Sequence, residues 1–197
     1  MSKDVKIILI VVGSLVGIVV VAIVGFVVVA SLGAFHNLGG ATDPRKSAAT
    51  AAQIVDFRVP AGYRLFSAVD LGFVKMAMVG PVERSKSNFV MQLEGMSIPM
   101  TGQTDAEIMR GMQQGMQQGM SVSTKCSSFQ TTGSDRIVTE TGRTIVLTEM
   151  RCTDQGSGRI IEFGRIPAKV PIGVFLAQGY AGGFDHDAVR ALLRSIR

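Results

Sequence analysis

The sequence predicts an α+β protein, with an N-terminal single transmembrane helix followed by a mainly antiparallel β-sheet domain that includes a middle helix and a C-terminal helix. Three observations predict this class. A long uncharged apolar run opens the chain, several later segments alternate apolar and polar residues, and two others repeat apolar residues with helical spacing. Alternation with a period of two indicates strands with one buried face, and short turns between them favour antiparallel pairing.

The apolar residues are unevenly distributed along the chain. Hydrophobic residues make up 47% of the 197 residues, and the excess is concentrated near the N-terminus. The remainder has an ordinary globular composition, which excludes an intrinsically disordered chain and a polytopic membrane protein. We predict four regions, namely a short N-terminal tail (1–6), a transmembrane helix (7–35), a flexible linker (36–52) and a globular α+β domain (53–197).

The first region of interest is the uncharged stretch between Lys6 and Asp43. As a helix, its apolar part would rise about 39 Å, more than the roughly 30 Å thickness of a bilayer's hydrocarbon core. A cleaved signal peptide is the alternative, but its apolar core is usually only about 7–15 residues long. We therefore expect an uncleaved signal anchor that makes the protein a single-pass membrane protein. Lys3 and Lys6 at one end of the span nearly balance Arg45 and Lys46 beyond the other. The first pair lies closer to the span and the N-terminal tail is very short, which favours a cytoplasmic N-terminus and an extracytoplasmic domain.

Three glycines, Gly13, Gly17 and Gly25, lie on one face of the predicted span. Small residues at four-residue spacing let two membrane helices approach closely. We interpret this face as a helix-packing site, either for a homodimer or for a larger membrane complex. Glycine is also common in membrane helices that have no such role.

Apolar and polar residues alternate in several segments beyond the linker. They are residues 55–59, 63–71, 73–79, 89–94, 121–130, 136–140, 143–153, 159–166 and 169–178. Turn-forming residues separate several of them, notably Thr141-Gly142 and the segment 154–158. We expect neighbouring segments to pair as an antiparallel meander. Within the linker, Asp43-Pro44 is interpreted as a helix breaker.

Two segments show helical spacing of apolar residues. The first begins with a capping box, in which Thr104 and Glu107 satisfy each other's backbone N–H groups, and it extends to Gly119. The second begins at Asp185, a favourable N-cap, and carries acidic residues in its first turn and basic ones later, as the helix dipole favours. Each helix needs a sheet face to cover.

The first of these helices contains an unusual repeat, GMQQGMQQGM, at residues 111–120. Glycine inside a helix costs about 1 kcal/mol relative to alanine, so three of them need a physical reason. One such reason is close packing of the glycine side against the sheet, with adaptable methionine side chains filling the gaps.

The repeat can also be interpreted as a binding site, in two ways. The first is a partner surface formed by Met112, Met116, Met120, Gln113 and Gln117. The second is a Cu(I) site with thioether ligands from Met109, Met112, Met116 and Met120. Core packing is favoured over both, because soft-metal sites usually recruit cysteine or histidine beside methionine.

The two cysteines, Cys126 and Cys152, both lie on predicted strands. One disulfide bond would account for both and would fit an oxidising compartment, whereas two buried free thiols would fit a reducing one. For an exported domain we favour the disulfide. On the chain-entropy model it stabilises the fold by about 3 kcal/mol.

The sequence contains no recognised catalytic or nucleotide-binding motif. His36 lies on the predicted linker, and His186 stands between Asp185 and Asp187. A metal or acid–base site at His186 is one interpretation, but helix capping explains both carboxylates. We therefore predict no catalytic, cofactor or metal site, and keep an enzyme with a site near His186 as an alternative. The net charge of +5 comes from scattered basic residues, a pattern that does not favour nucleic-acid binding.

Two short motifs carry a resemblance to a known family. The segment IVDFRVPAGY at residues 54–63 and the helix end LLRSI at residues 192–196 flank strands and a middle helix. This layout resembles the α/β sandwich of Mog1/PsbP-like domains over residues 53–197. The resemblance implies a non-catalytic binding or assembly module, with no site residues to carry over.

We therefore expect a membrane-anchored protein whose extracytoplasmic domain binds a protein partner. The alternative is a structural subunit of a larger membrane complex, joined through the glycine face of the span and the Met-rich helix.

Overall fold

The computed structural model describes residues 43–83, 89–97, 128–152 and 158–197, together with Thr104, Glu107, Arg110, Gly111, Gln114 and Cys126. The chain divides into two compact units. One consists of residues 38–100 and 130–197, and it contains the helices Pro44–Ile54 and His186–Arg194 and nearly all of the described sheet. The other consists of residues 1–37 and 101–129.

Seven strands form an antiparallel sheet within the described residues. They are β1 (Tyr63–Asp70), β2 (Val74–Pro81), β3 (Val90–Met96), β4 (Phe129–Val138), β5 (Thr144–Cys152), β6 (Arg159–Ile166) and β7 (Ile172–Tyr180). Their spatial order is β1-β2-β3-β7-β6-β5-β4. Strands that follow one another in the chain are therefore also neighbours in the sheet within two groups, β1 to β3 and β4 to β7. The two groups join where β3 pairs with β7, with Leu93 opposite Phe175.

Helix α1 (Pro44–Ile54) forms in the segment predicted to be a flexible linker. The Asp43 side chain caps it by accepting a hydrogen bond from the backbone N–H of Arg45 at 2.9 Å. Pro44 occupies the first position, where the N–H that proline lacks would have no partner within the helix. The interpretation of Asp43-Pro44 as a helix breaker was therefore wrong, because the pair is a helix start.

Helix α2 (His186–Arg194) begins after Asp185, as predicted, and it shares a hydrophobic core with α1 and one face of the sheet. Ile54 of α1 and Val189 of α2 are 0% exposed, as are Leu93 of β3 and Phe175 of β7. The opposite face of the sheet is also buried, for example at Met76 of β2. Both helices thus bury their apolar residues against the same sheet face, which also carries the site described below.

The predicted fold class was wrong in its membrane component. In the part of the chain that the structure describes, no helix is long and apolar enough to cross a membrane. Helices α1 and α2 have 11 and 9 residues, about half the length that a span requires. The described part of the chain instead forms a seven-stranded antiparallel sheet with the helices α1 and α2. The predicted span at 7–35, with Gly13, Gly17 and Gly25, lies outside the described residues.

The predicted middle helix is represented by a few described residues. Glu107, Arg110, Gly111 and Gln114 are helical. The capping box is confirmed, since Glu107 N donates to Thr104 Oγ1 at 3.3 Å and Thr104 N donates to Glu107 Oε2 at 2.8 Å. Gly111 is exposed, and a Cβ there would meet no atom within 4 Å. Close packing therefore does not explain this first glycine of the repeat.

Two predicted strands differ from those observed. Residues 55–59 form no strand. Val55 is the extended C-cap of α1, and Arg58 N donates to Ser195 Oγ at the end of α2 instead of to a neighbouring strand. Strand β4 runs without a break through residues 131–135, which the alternation pattern had left between two segments. Polar side chains lie on both faces of this exposed edge strand, so its sequence shows no alternation of apolar and polar residues. The predicted turn at Thr141-Gly142 is confirmed, with Gly142 at a φ of 78°.

Candidate metal centre

Three side chains from β5, β6 and α2 converge on the helix-covered face of the sheet. Glu149 of β5 and Glu162 of β6 stand directly opposite each other in the strand register. His186, the first residue of α2, reaches the same point, with its Nδ1 atom 2.7 Å from Oε1 of Glu162. One ligand atom from each of the three lies within 4.8 Å of the others. We call Glu149, Glu162 and His186 the carboxylate–histidine cluster.

The start of α2 holds His186 in place through its N-cap. Oδ1 of Asp185 accepts a hydrogen bond from the backbone N–H of Ala188 at 2.9 Å, and Oδ2 accepts one from the Tyr63 hydroxyl at 2.6 Å. Burial, together with the hydrogen bond to Asp185 and its charge, raises the pKa of Tyr63 well above its ordinary value. The ring of Phe184 packs on the imidazole, with 4.7 Å between centroids. A hydrogen-bonded turn and an aromatic contact thus position this histidine.

Glu162 is the buried member of the cluster, with a side chain that is 3% exposed. Its Oε1 atom contacts His186, while its Oε2 atom has no hydrogen-bond partner among the described residues. Burial raises the pKa of Glu162 above its ordinary value, and the nearby negative charge of Glu149 acts in the same direction. The hydrogen bond to His186, and the charges of His186 and Arg190, only partly offset this rise.

Glu149 is the more exposed carboxylate, with a side chain that is 20% exposed. Its Oε1 atom accepts hydrogen bonds from the Thr132 hydroxyl at 2.6 Å and from Nε of Arg151 at 2.8 Å. Partial burial acts to raise the pKa of Glu149, but these hydrogen bonds and the charges of Arg151 and His186 outweigh it and lower the pKa. The cluster therefore combines one readily ionised carboxylate with one that resists ionisation.

A second arginine lies close by but has its own partners. Nε of Arg190 donates to Oδ2 of Asp135 at 3.0 Å, and its Nη1 donates to the backbone carbonyl of His186 at 3.3 Å. The charges of Arg190 and Asp135 balance each other. The hydrogen bond to the carbonyl of His186 also connects the side chain of Arg190 to the first turn of its own helix.

This arrangement suits two kinds of chemistry. A buried carboxylate that contacts an imidazole orients it as a general base. Two carboxylates and an imidazole also form a ligand set for a divalent cation such as zinc. Like charges directly opposite each other in a sheet destabilise it, and a cation bound between them would remove that repulsion. The facing pair of glutamates therefore favours cation binding over base catalysis.

The predicted site residues have different outcomes in the structure. Cys126 and Cys152 are both disulfide-bonded, and since the chain has two cysteines, the predicted bond between them is confirmed. The residues of the predicted partner surface and copper site lie outside the described residues: Met109, Met112, Met116, Met120, Gln113 and Gln117. His36 also lies outside them. Those sites therefore stay predictions.

Sequence reasoning considered His186 but missed its partners. The capping role of Asp185 is confirmed, and Asp187 is an exposed residue of the first turn. The actual neighbours of His186 are Glu149 and Glu162, which come from other strands. One signal was available, namely the single charge within the apolar run Ile160-Ile161-Glu162-Phe163. A scan against protein-family models finds no match for the chain, and a search of the curated proteins finds no significant one.

Proposed function

We propose that this domain is a non-catalytic binding module, and that the carboxylate–histidine cluster holds a divalent transition-metal cation. The observation that carries this proposal is the Oε2 atom of Glu162, which is buried without a hydrogen-bond partner among the described residues. Buried polar atoms are almost always paired, because an unpaired one retains the full cost of its lost hydration. Coordination to a cation would satisfy this oxygen.

The ligand atoms indicate which cations fit. Imidazole nitrogen favours first-row transition metals over magnesium or calcium, and carboxylate oxygen is compatible with zinc, cobalt or manganese. Zinc binds such atoms at about 2.0–2.2 Å. The three ligand atoms lie within 4.8 Å of one another, so a small rearrangement of the side chains would bring them to these distances from one ion. The partly exposed side chains of Glu149 and His186 have room for this movement.

The disulfide between Cys126 and Cys152 supports a place for the module in an oxidising compartment. This agrees with the extracytoplasmic location expected from the sequence. The resemblance to Mog1/PsbP-like domains, which implies a binding role, stays a prediction beside it.

Calorimetric titration of the chelator-treated protein with zinc chloride tests the proposal. We expect the full chain to bind one zinc ion, and Glu162→Gln to weaken binding by more than about 100-fold, because loss of an outer-shell partner alone costs about 10–100-fold. Glu83→Gln is the matched control, since Glu83 is exposed beyond β2 and distant in the sheet order from β5 and β6. Circular dichroism verifies that each variant is folded.

Two results would overturn the proposal. One is a folded wild-type chain that takes up no stoichiometric zinc, cobalt or manganese. The other is a folded Glu162→Gln variant that binds zinc as tightly as the wild type and the control.

A further inference from the structure

We propose that the metal-loaded cluster also binds a small oxyanion, a carboxylate or phosphate group held between the cation and Arg151. This inference rests on the proposed metal site and names the ligand class that the loaded site would take. It is carried by the position of Arg151, the charge balance of the cluster and the number of its protein ligands.

Arg151 lies one hydrogen bond from the cluster. It follows Glu149 by two positions on β5, so both side chains lie on the same face of the strand. Its Nε atom donates to Glu149 Oε1 at 2.8 Å, and its side chain is 52% exposed. That hydrogen bond uses one of the five N–H donors of the guanidinium group. The two Nη atoms carry the other four, in the planar geometry that suits carboxylate and phosphate.

Arg190 is the other arginine near the cluster, but it is engaged differently. Its Nε atom is bound to Asp135, and its Nη1 atom is bound to the backbone carbonyl of His186. Asp135 also neutralises its charge. Arg151 is paired with Glu149, whose charge a bound cation would balance, so in the loaded site Arg151 offers an anion both positive charge and donors.

The charge of the cluster becomes more positive when a cation binds. A divalent cation displaces the protons of its ligands, so the two glutamates balance its charge, and the adjacent guanidinium group of Arg151 leaves the loaded site with a net positive charge. Without metal, the charge of Arg151 is balanced by Glu149 and no cation adds to it, so the site attracts anions less. Anion binding should therefore depend on the metal.

The ligand count leaves a coordination position for the anion. Glu149, Glu162 and His186 offer one ligand atom each. Zinc and cobalt take at least four ligands, and zinc sites with three protein ligands keep the fourth position for water or another small ligand. An oxyanion in this position would place one oxygen on the metal and direct another toward Arg151. The half-exposed side chain of Arg151 gives such a ligand access from solvent.

Cobalt-substituted protein provides the test, because the visible spectrum of Co(II) responds to its ligands. The full chain is loaded with cobalt and titrated separately with sodium phosphate and sodium acetate. We expect at least one of them to shift the cobalt bands in a saturable manner. Arg151→Gln should weaken that anion binding by about tenfold or more, since a hydrogen bond to a charged group contributes about 1.5–3 kcal/mol. It should leave cobalt uptake intact.

Arg64→Gln is the matched control, since Arg64 is exposed on β1 at the far edge of the sheet from β4 and β5. The control should bind both cobalt and the anion as the wild type does. If phosphate alone shifts the bands, the site favours phosphate groups, and if acetate alone does so, it favours carboxylates. Either result supports the inference.

The outcomes separate this inference from the proposed function. A chain that takes up no cobalt overturns both. A chain that takes up cobalt but shows no saturable response to either anion overturns the oxyanion site and leaves the metal site standing. An anion response that persists undiminished in the folded Arg151→Gln variant removes Arg151 from the site and also refutes the inference.

Discussion

His186 Nδ1 lies 2.7 Å from Oε1 of Glu162, a residue 24 positions earlier in the chain. The contact joins the first turn of α2 to the middle of β6. It leaves the second oxygen of Glu162 buried and unpaired among the described residues. A buried carboxylate oxygen without a partner lowers the free energy of unfolding, and proteins retain such costs mainly at sites that serve a function.

Glu162→Gln should therefore stabilise the metal-free protein. Glutamine has the shape of glutamate and retains a hydrogen-bonding group for His186, but it buries no charge. We expect the free energy of unfolding at neutral pH, measured with urea in the presence of a chelator, to rise by about 1–2 kcal/mol. Saturating zinc should reverse the order and make the wild type the more stable protein. A metal-free variant that is less stable than the wild type would contradict this expectation.

The cap of α2 should contribute both to stability and to the metal site. Asp185→Ala removes the hydrogen bond to Ala188 N and leaves the Tyr63 hydroxyl without its acceptor. We expect a loss of about 2–3 kcal/mol in urea unfolding, combining a cap of about 1 kcal/mol with a hydrogen bond to a charged group. Tyr63→Phe keeps the cap and should lose only the second part. Because the cap positions His186, zinc affinity should fall in Asp185→Ala more than in Tyr63→Phe.

Glu94 should make stability fall as the pH rises. It is buried on β3, where burial raises its pKa from 4.5 to about 7 although a hydrogen bond from Gln92 opposes the rise. Between these two pH values the folded protein retains a proton that the unfolded chain releases. Its stabilising contribution is therefore complete below pH 4.5 and is lost as the pH rises through about 7, a loss of about 3 kcal/mol.

Urea unfolding of wild type and Glu94→Gln across this pH range measures that contribution. The variant should lack this part of the pH dependence and become relatively more stable at pH values above the pKa of Glu94. The exposed Glu83→Gln control should follow the wild type. Parallel curves for wild type and Glu94→Gln would show that Glu94 does not titrate in this range.

The disulfide between Cys126 and Cys152 should stabilise the fold by constraining the unfolded chain. Denatured protein should react with maleimide at neither cysteine before reduction and at both afterwards. Reduction should lower the free energy of unfolding by about 3 kcal/mol on the chain-entropy model. The matched control is Cys126→Ser/Cys152→Ser, whose stability reductant should not change. Two reactive thiols without reductant would refute the bond.

Local features were predictable from the sequence where they depend on residues close together in the chain. The Thr104–Glu107 capping box and the Asp185 cap each join residues three positions apart, so their spacing is visible in the sequence. The start of α1 also depends on adjacent residues, but Asp43-Pro44 is compatible both with the start of a helix and with a break in one. The helix is stabilised by the burial of Ile54 in the core, a contact that the sequence alone does not reveal.

The carboxylate–histidine cluster was not predictable by the same means. It depends on a register that sets Glu149 opposite Glu162 and on the packing of α2 above them. A shift of one residue in the register of either strand would send its glutamate to the other face of the sheet. The period of the alternation indicates two strands, but it does not specify which residues pair.

The pairing of β3 with β7 has a consequence for how the protein assembles. Strands β4, β5 and β6 all come between these two partners in the chain, yet β7 occupies the centre of the sheet. Until β7 is in place, β3 and β6 each have an unpaired edge, and they carry apolar side chains that are buried in the folded protein, such as Met91 and Ile161. Open edges of this kind recruit other chains. If β3 and β7 pair slowly, because they are far apart in the sequence, newly synthesised protein would be prone to aggregation. A chaperone that shields the edge of β3 would then raise the yield of folded protein.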